Sequence, residues 1–262
     1  MPSLQSAAHN SHDPSPASAF PWSTITHDPS APWTTQPVVA CDLETTGRDA
    51  TTCRIVTASA LVVDHNGTVL HAWEWLADPG VDIPEGAAAI HGITTQHAQT
   101  HGALASDVVA QVTEVVGAAF TRGVPVVAFN AAYDLTVLAC EAQRHGITPV
   151  TPLPVVDPYV LHKRVRQYWR GKRTLVALCQ AYGIRLDSAH TSAADALAAV
   201  ELGHRLAQEH PELGVPAREL HEHQIHWSRA QADDFQRYLR NVKNDPTVSI
   251  NGEWPVRRAP LR

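Results

Sequence analysis

Val38-Val39-Ala40-Cys41-Asp42-Leu43-Glu44-Thr45-Thr46-Gly47 is an apolar run that ends in two acids and a glycine. An unbroken apolar run of this kind predicts a strand buried on both faces. Side chains alternate along a strand, so Asp42 and Glu44 leave one face while Cys41 and Leu43 leave the other. Two carboxylates held a pleat apart repel each other, and a bound cation relieves the repulsion. Hard oxygen donors of this type suit Mg²⁺ or Mn²⁺. Taken alone, the pair reads more simply as a solvated strand end, where D-x-E is common.

The pattern on either side of this run defines the fold class. A strand is predicted over 54–63 and another over about 68–76, joined at the turn signal His65-Asn66-Gly67. Valines at helical spacing predict a helix over 106–120, followed by a buried strand at 124–129 and a helix over 131–144. Val155-Val156 is a short strand, with helices near 158–166 and 174–182 and a long Ala/Leu-rich helix over 192–209 that stops before Pro211. The Pro- and Gly-punctuated stretch 79–104 carries no predicted element. Strands first, then alternating helix and strand, predict an α/β fold: a mixed five-stranded sheet with helices on both faces.

Composition sets the outer limits. With 262 residues, 44% hydrophobic and 18% charged, the chain has enough apolar side chains for a packed core, and wholesale disorder is excluded. No apolar run approaches the ~18–20 residues that span a bilayer. No Lys or Arg precedes Arg48 and no apolar leader is present, so the expected location is cytoplasmic, without a secretory signal. Cys41, Cys53, Cys140 and Cys179 include no C-x-x-C pair and predict neither a disulfide framework nor a zinc ribbon. A net charge of −6 argues against non-specific coating of nucleic acid, although metal-binding acids would inflate that count.

Three regions are expected. Residues 1–35 are rich in Ser, Pro, Ala and His and predict a disordered tail, with Trp22 and Trp33 as its only docking features. Residues 36–210 form the main domain. Residues 211–262 form a helical extension and tail, in which Leu220, Trp227, Phe235, Tyr238 and Val242 share one helical face that packs on the domain or on a partner. The cluster His221-Glu222-His223-Gln224-Ile225-His226 lacks the H-E-x-x-H spacing and reads as a solvated helix rather than a zinc site.

Further along the chain, more residues carry candidate chemistry. Asp134 lies in the first turn of the helix after the 124–129 strand, a place where α/β folds bind ligands. Asn130 is its expected N-cap, and the helix dipole alone would also account for Asp134. His190 and Asp195 stand in His190-Thr191-Ser192-Ala193-Ala194-Asp195, where Ser192 and Asp195 have capping-box spacing that leaves His190 unexplained. Lys163, Arg164, Arg166, Arg170, Lys172 and Arg173 crowd around Tyr168 and Trp169. Cations interleaved with rings suit single-stranded nucleic acid, and a solvated loop is the plainer alternative.

As an ordered set, D-x-E at 42–44, Asp134 and H-x₄-D at 190–195 resemble the DEDDh, or DnaQ-like, 3′–5′ exonucleases, a family that includes the proofreading ε subunit of bacterial polymerase III. Ile90-His91-Gly92-Ile93-Thr94 and Phe129-Asn130-Ala131-Ala132-Tyr133-Asp134 match further family text, and the resemblance covers roughly 36–208. It implies a ribonuclease H-like fold and a site for two divalent cations, Mg²⁺ or Mn²⁺. It assigns Asp42 to both ions, Glu44 and Asp195 to the nucleophile side, Asp134 to the leaving-group side and His190 to general-base duty. It places Thr45, Thr46 and His91 beside the terminal nucleotide, with Asn130 a further substrate candidate and Leu43 one only if the strand twists locally, since it otherwise faces away from the acids. The basic segment, read from its own composition, adds Arg170, Lys172 and Arg173 as contacts to the strand. The ε-type glutamate five residues before the histidine is replaced here by Gly86. The implied partner is single-stranded DNA or a frayed 3′ end. RNA trimming, an oligoribonuclease-like activity and a non-catalytic accessory module are the alternatives. A polymerase or repair protein bound through the C-terminal extension is a further expectation, and no membrane role is implied.

Overall fold

The computed structural model describes residues 20–186 and 191–258. Its sheet contains β1 (Val38–Thr45), β2 (Ile55–Val63), β3 (Val69–Asp78), β4 (Ala103–Leu104), β5 (Val126–Val127) and β6 (Val155–Val156), in the order β4-β3-β2-β1-β5-β6. β1, β2 and β3 form an antiparallel meander, and Gly67 closes the β2–β3 hairpin with a φ of 84°. β5 and β6 join β1 in parallel, through Val39↔Val126, Ala40↔Val127 and Val126↔Val155. β1, β5 and β6 therefore end at the same edge of the sheet.

The helices are α1 (Glu85–His91), α2 (Thr95–His101), α3 (Ala105–Thr121), α4 (Ala131–Arg144), α5 (Pro158–Val165), α6 (Leu175–Tyr182), α7 (Ser192–Glu209) and α8 (Ala217–Val242). They cover both faces, as the unbroken apolar run of β1 requires. Val39, Cys41 and Leu43 pack with Val112, Val116 and Leu138 of α3 and α4. Val38 and Ala40 pack with Leu161, Leu178, Leu202 and Leu206 of α5, α6 and α7. Burying each such Val or Leu contributes roughly 1.5–3 kcal/mol.

The architecture is the expected α/β one, with six strands rather than five. The additional strand, β4, and the helices α1 and α2 lie in the stretch 79–104. Their signals are local: Thr94 caps α2 by accepting from His97 N at 3.1 Å, and α1 ends at Gly92 in a left-handed conformation. Each helix is only seven residues long, too short for a hydrophobic period to show.

The disordered tail expected through residue 35 is corrected for residues 20–35. Phe20, Trp22 and Trp33 are all buried. Trp33 donates its indole N–H to Leu213 O at 2.9 Å. It lies so close to Gly203 that a Cβ there would come within 3.0 Å of the ring. These aromatics supply the burial that their polar neighbours lack. In the extension, Leu220 is buried and Trp227 half-buried, but Phe235, Tyr238 and Val242 are exposed. Only the first part of α8 keeps its apolar face on the domain. Trp254 returns to the core and donates to Asp157 Oδ2 at 3.1 Å. Among the described residues, no helix is long and apolar enough to cross a membrane.

Candidate active site

The carboxyl ends of β1, β5 and β6 bring together residues that are far apart in sequence. Asp42 and Glu44 leave β1 on the α7 side, and Asp195 arrives in the first turn of α7. One carboxylate oxygen from each of the three lies within 4.8 Å of the other two. Asp134, in the first turn of α4, is buried and accepts from Leu43 N at 3.2 Å. Together with Phe129, Tyr159 and Arg173 these acids line a cleft of about 420 Å³.

The electrostatics are those of crowded acids. Burial, followed by repulsion from Asp134, Glu44 and Asp195, holds the Asp42 carboxyl well above the usual carboxylate range. Burial and the Asp195 charge push Glu44 up to about 7. Burial raises Asp134 as well, against the hydrogen bond from Leu43. Among the described residues, no Lys or Arg forms an ion pair with Asp42 or Glu44. An all-oxygen donor set crowded in this way fits a hard divalent ion, which offsets the repulsion and keeps the acids ionised.

Two nearby features are set by local strand and helix geometry. The β1–β2 register shifts between Glu44 and Thr45, so the strand turns away immediately after the acids. Thr45 and Tyr133 hydroxyls converge on the Gly47 carbonyl and fix that turn. α7 is capped at Thr191, not Ser192. The capping-box reading therefore fails: Asp195 sits one position too far along, and Ser192 Oγ bonds instead with Ser59 Oγ at 2.6 Å. Asp195 lines the acid cleft.

The residues expected at the substrate separate into two groups. Leu43 stays in regular register with Ala58 and packs in the core, yet its edge lines both the acid cleft and a neighbouring cleft of about 400 Å³. Thr45 and His91 line that second cleft, and the His91 ring lies beside the Thr45 backbone. Asn130 lines the acid cleft at the N-cap of α4, but in a left-handed conformation (φ 61°) and without a side-chain capping bond. Arg173 reaches the acid cleft, while its guanidinium donates to the Gln167 carbonyl at 3.0 Å. Thr46 is buried and accepts from Arg54 N at 3.0 Å, a structural role. Arg170 lines a different cleft with Arg166 and Tyr182, and Lys172 is exposed on the loop. His190 lies outside the described residues.

Asp157 was not singled out in the sequence. It is buried at the end of β6 and accepts from Asn130 N at 2.9 Å, Ala131 N at 3.0 Å and Tyr159 N at 3.0 Å. It thus caps α5 and supplies the capping bonds at α4 that Asn130 does not. Burial, offset by these donors, pushes it up to about 6. The signal was available: Val155-Val156-Asp157-Pro158 places an N-cap acid before a proline at the first helical position. The His221–His226 segment is not the wholly solvated stretch expected: His221 is buried and accepts from Val155 N at 3.1 Å, and Gln224 is buried and accepts from Asp157 N at 2.7 Å.

Comparison with known proteins agrees with this geometry. Residues 39–202 match the model of the family described as exonuclease, RNase_T. The chain belongs to this exonuclease family, and its core is a DnaQ-like 3′–5′ exonuclease domain. The PolC-type DNA polymerase III of Streptococcus thermophilus is 26% identical over 158 residues, covering 60% of this chain and 10% of that protein. The PolC-type polymerase of Streptococcus mutans serotype c matches to the same extent, so the chain spans about a tenth of the length of these relatives. Escherichia coli exonuclease I in complex with a dA16 oligonucleotide has a TM-score of 0.57 at 18% identity, over 78% of this chain and 44% of that one. Its zinc-bound complex with single-stranded DNA has a TM-score of 0.58 at 20% identity, over 68% and 41%. At these identities the likeness is one of fold.

Proposed function

We propose that this chain is a divalent-cation-dependent 3′–5′ exonuclease that removes nucleoside 5′-monophosphates from DNA 3′ ends. The observation that carries the reading is the convergence of Asp42, Glu44 and Asp195 within 4.8 Å in an open cleft. Family membership and the single-stranded DNA seen on exonuclease I support it. Asp42, Glu44 and Asp195 would hold one Mg²⁺ or Mn²⁺, and Asp42 with Asp134 a second. When bound, such a pair supplies an activated water and stabilises the entering and leaving oxygens of an in-line displacement. His190 takes the proton from that water, a task suited to a side chain whose ordinary pKa is ~6.5. Leu43, at the boundary of the two clefts, separates the terminal base from its neighbour. Arg173 places a cation beside the phosphates, and Phe129 and Tyr159 exclude bulk water from the reacting bond.

The test is degradation of matched single-stranded DNA and RNA oligonucleotides with Mn²⁺ and with EDTA. DNA should shorten stepwise from the 3′ end with metal and stay intact with EDTA. Faster RNA degradation would reverse the substrate assignment, and silence with metal present would leave a binding module. His190→Ala should lower turnover by ~10²–10⁴-fold. A near-wild-type rate would remove His190 from the mechanism.

A further inference from the structure

A further cleft, on the α8 side, continues from the acid cleft, and Tyr159 and Arg173 line both. It holds about 470 Å³. One wall is α5 and the loop after it, with Lys163, Arg164 and Tyr168. The other is α8, which lies beyond the residues 39–202 matched by the family. Gln231 pins the walls together by donating to Val160 O at 3.0 Å.

Three rings of this cleft are left exposed by the fold. Phe235 and Tyr238 are 49% and 43% exposed, and their rings lie nearly parallel, 15° apart with centroids separated by 6.5 Å. Tyr168, across the cleft, is 88% exposed. Cations lie over neighbouring rings of the cleft, Lys163 over Tyr159 at 5.0 Å and Arg164 over Trp227 at 5.5 Å, and Lys243 lies over Tyr238 at 5.9 Å. The cleft's one acid, Asp234, is held by Arg237 at 3.0 Å and by Gln167 at 3.4 Å. Exposed rings beside cations, in a groove that opens into an active cleft, provide stacking surfaces for bases and charge for phosphates.

We propose that this cleft receives the single-stranded nucleic acid upstream of the terminal nucleotides, with Phe235, Tyr238 and Tyr168 as stacking surfaces and Lys163 and Arg164 beside its phosphates. The proposal rests on the exonuclease reading, because continuity with the acid cleft selects a nucleic-acid strand over a protein partner. α8 then gives this chain a grip on long strands that the family domain alone lacks.

The experiment compares the full-length chain with a Phe235→Ala/Tyr238→Ala double variant. Binding of fluorescent dT16 and dT4 is followed by anisotropy in EDTA, and hydrolysis of dT16 and a dinucleotide is followed with Mn²⁺. Wild type should bind dT16 more tightly than dT4. The variant should lose at least about 10-fold in dT16 affinity. Its KM for dT16 should rise while its rate on the dinucleotide stays that of wild type. Both side chains are exposed, and circular dichroism should confirm an unchanged fold. Unchanged dT16 affinity would overturn the proposal and leave the rings to a protein surface. An equal loss on dinucleotide and dT16 would also overturn it. If wild type hydrolyses neither substrate, the exonuclease reading fails, and the anisotropy still decides what the cleft binds.

Discussion

Two sets of carboxylates share this fold and are provided for in opposite ways. Glu141 is fully buried, but Arg54 approaches it at 2.9 Å and Arg144 pairs with it from the next turn of α4. Asp157 is equally buried and accepts three backbone N–H groups and the Trp254 indole. Asp42 and Glu44 have neighbours of their own sign instead. A fold that neutralises Glu141 so fully does not lack the means to neutralise an acid. On the proposed exonuclease reading, Asp42 and Glu44 are acids kept for a cation that comes from outside the chain.

Breaking the comparison on the active side should have the largest effect. Asp42→Asn should abolish hydrolysis, and the stabilisation that Mn²⁺ gives the wild-type protein in a thermal melt should disappear. A variant that still gained melting temperature from Mn²⁺ would separate the metal from Asp42. Without metal, the same variant should melt at or above the wild-type temperature, because a repelling charge has gone.

The structural acids predict the reverse, with stability lost and no metal response. Glu141→Ala leaves Arg54 and Arg144 facing an emptied site and should cost about 3 kcal/mol or more in urea unfolding. Asp157→Ala orphans backbone donors at the starts of α4 and α5 and should cost at least about 2 kcal/mol. A loss below about 0.5 kcal/mol in either case would undo the contrast.

A smaller effect concerns pH. Burial and the charges of Arg173 and Arg166 hold His162 down to about 4, and burial with Arg218 does the same to His221. Both fold as neutral rings that accept hydrogen bonds, from Arg173 Nε at 3.3 Å and from Val155 N at 3.1 Å. Their folded values lie below the ordinary ~6.5, so their contribution is complete above that pH and is lost as pH falls toward 4. Over the same range protonation of the crowded acids Asp42, Glu44 and Asp134 stabilises the fold, so the ring contribution is read by difference: between pH 7 and pH 5 the His162→Gln variant should gain melting temperature relative to wild type. A difference that does not change with pH would contradict this. The smallest effect is expected at the surface cations: Lys163→Gln with Arg164→Gln should reduce the salt slope of dT16 binding by about 0.7 for each phosphate left without its cation.

The sheet's core strands and long helices were legible because periodicity records burial directly. The apolar run ending at Cys41 packs on both faces of the sheet, and the valines of α3 fill one of them. The acids were legible only as an ordered set, since each had a local explanation. The structure removes one of those explanations by capping α7 at Thr191. What stayed hidden depended on partners far away in sequence. The docking of Trp33 needs Gly203 and Leu213, and the role of Asp157 needs the N-terminus of α4. The basic stretch 163–173 read as one patch, but its residues face different clefts, and Arg166 pairs with Glu209 at 2.8 Å.

A crystal soaked in manganese and measured for anomalous scattering addresses the account most directly. Strong peaks should appear between the carboxylates of Asp42, Glu44 and Asp195, with a second beside Asp42 and Asp134, and none at Glu141 or Asp157. A soaked crystal with no peak at Asp42, or with the metal at Asp157 instead, would contradict it.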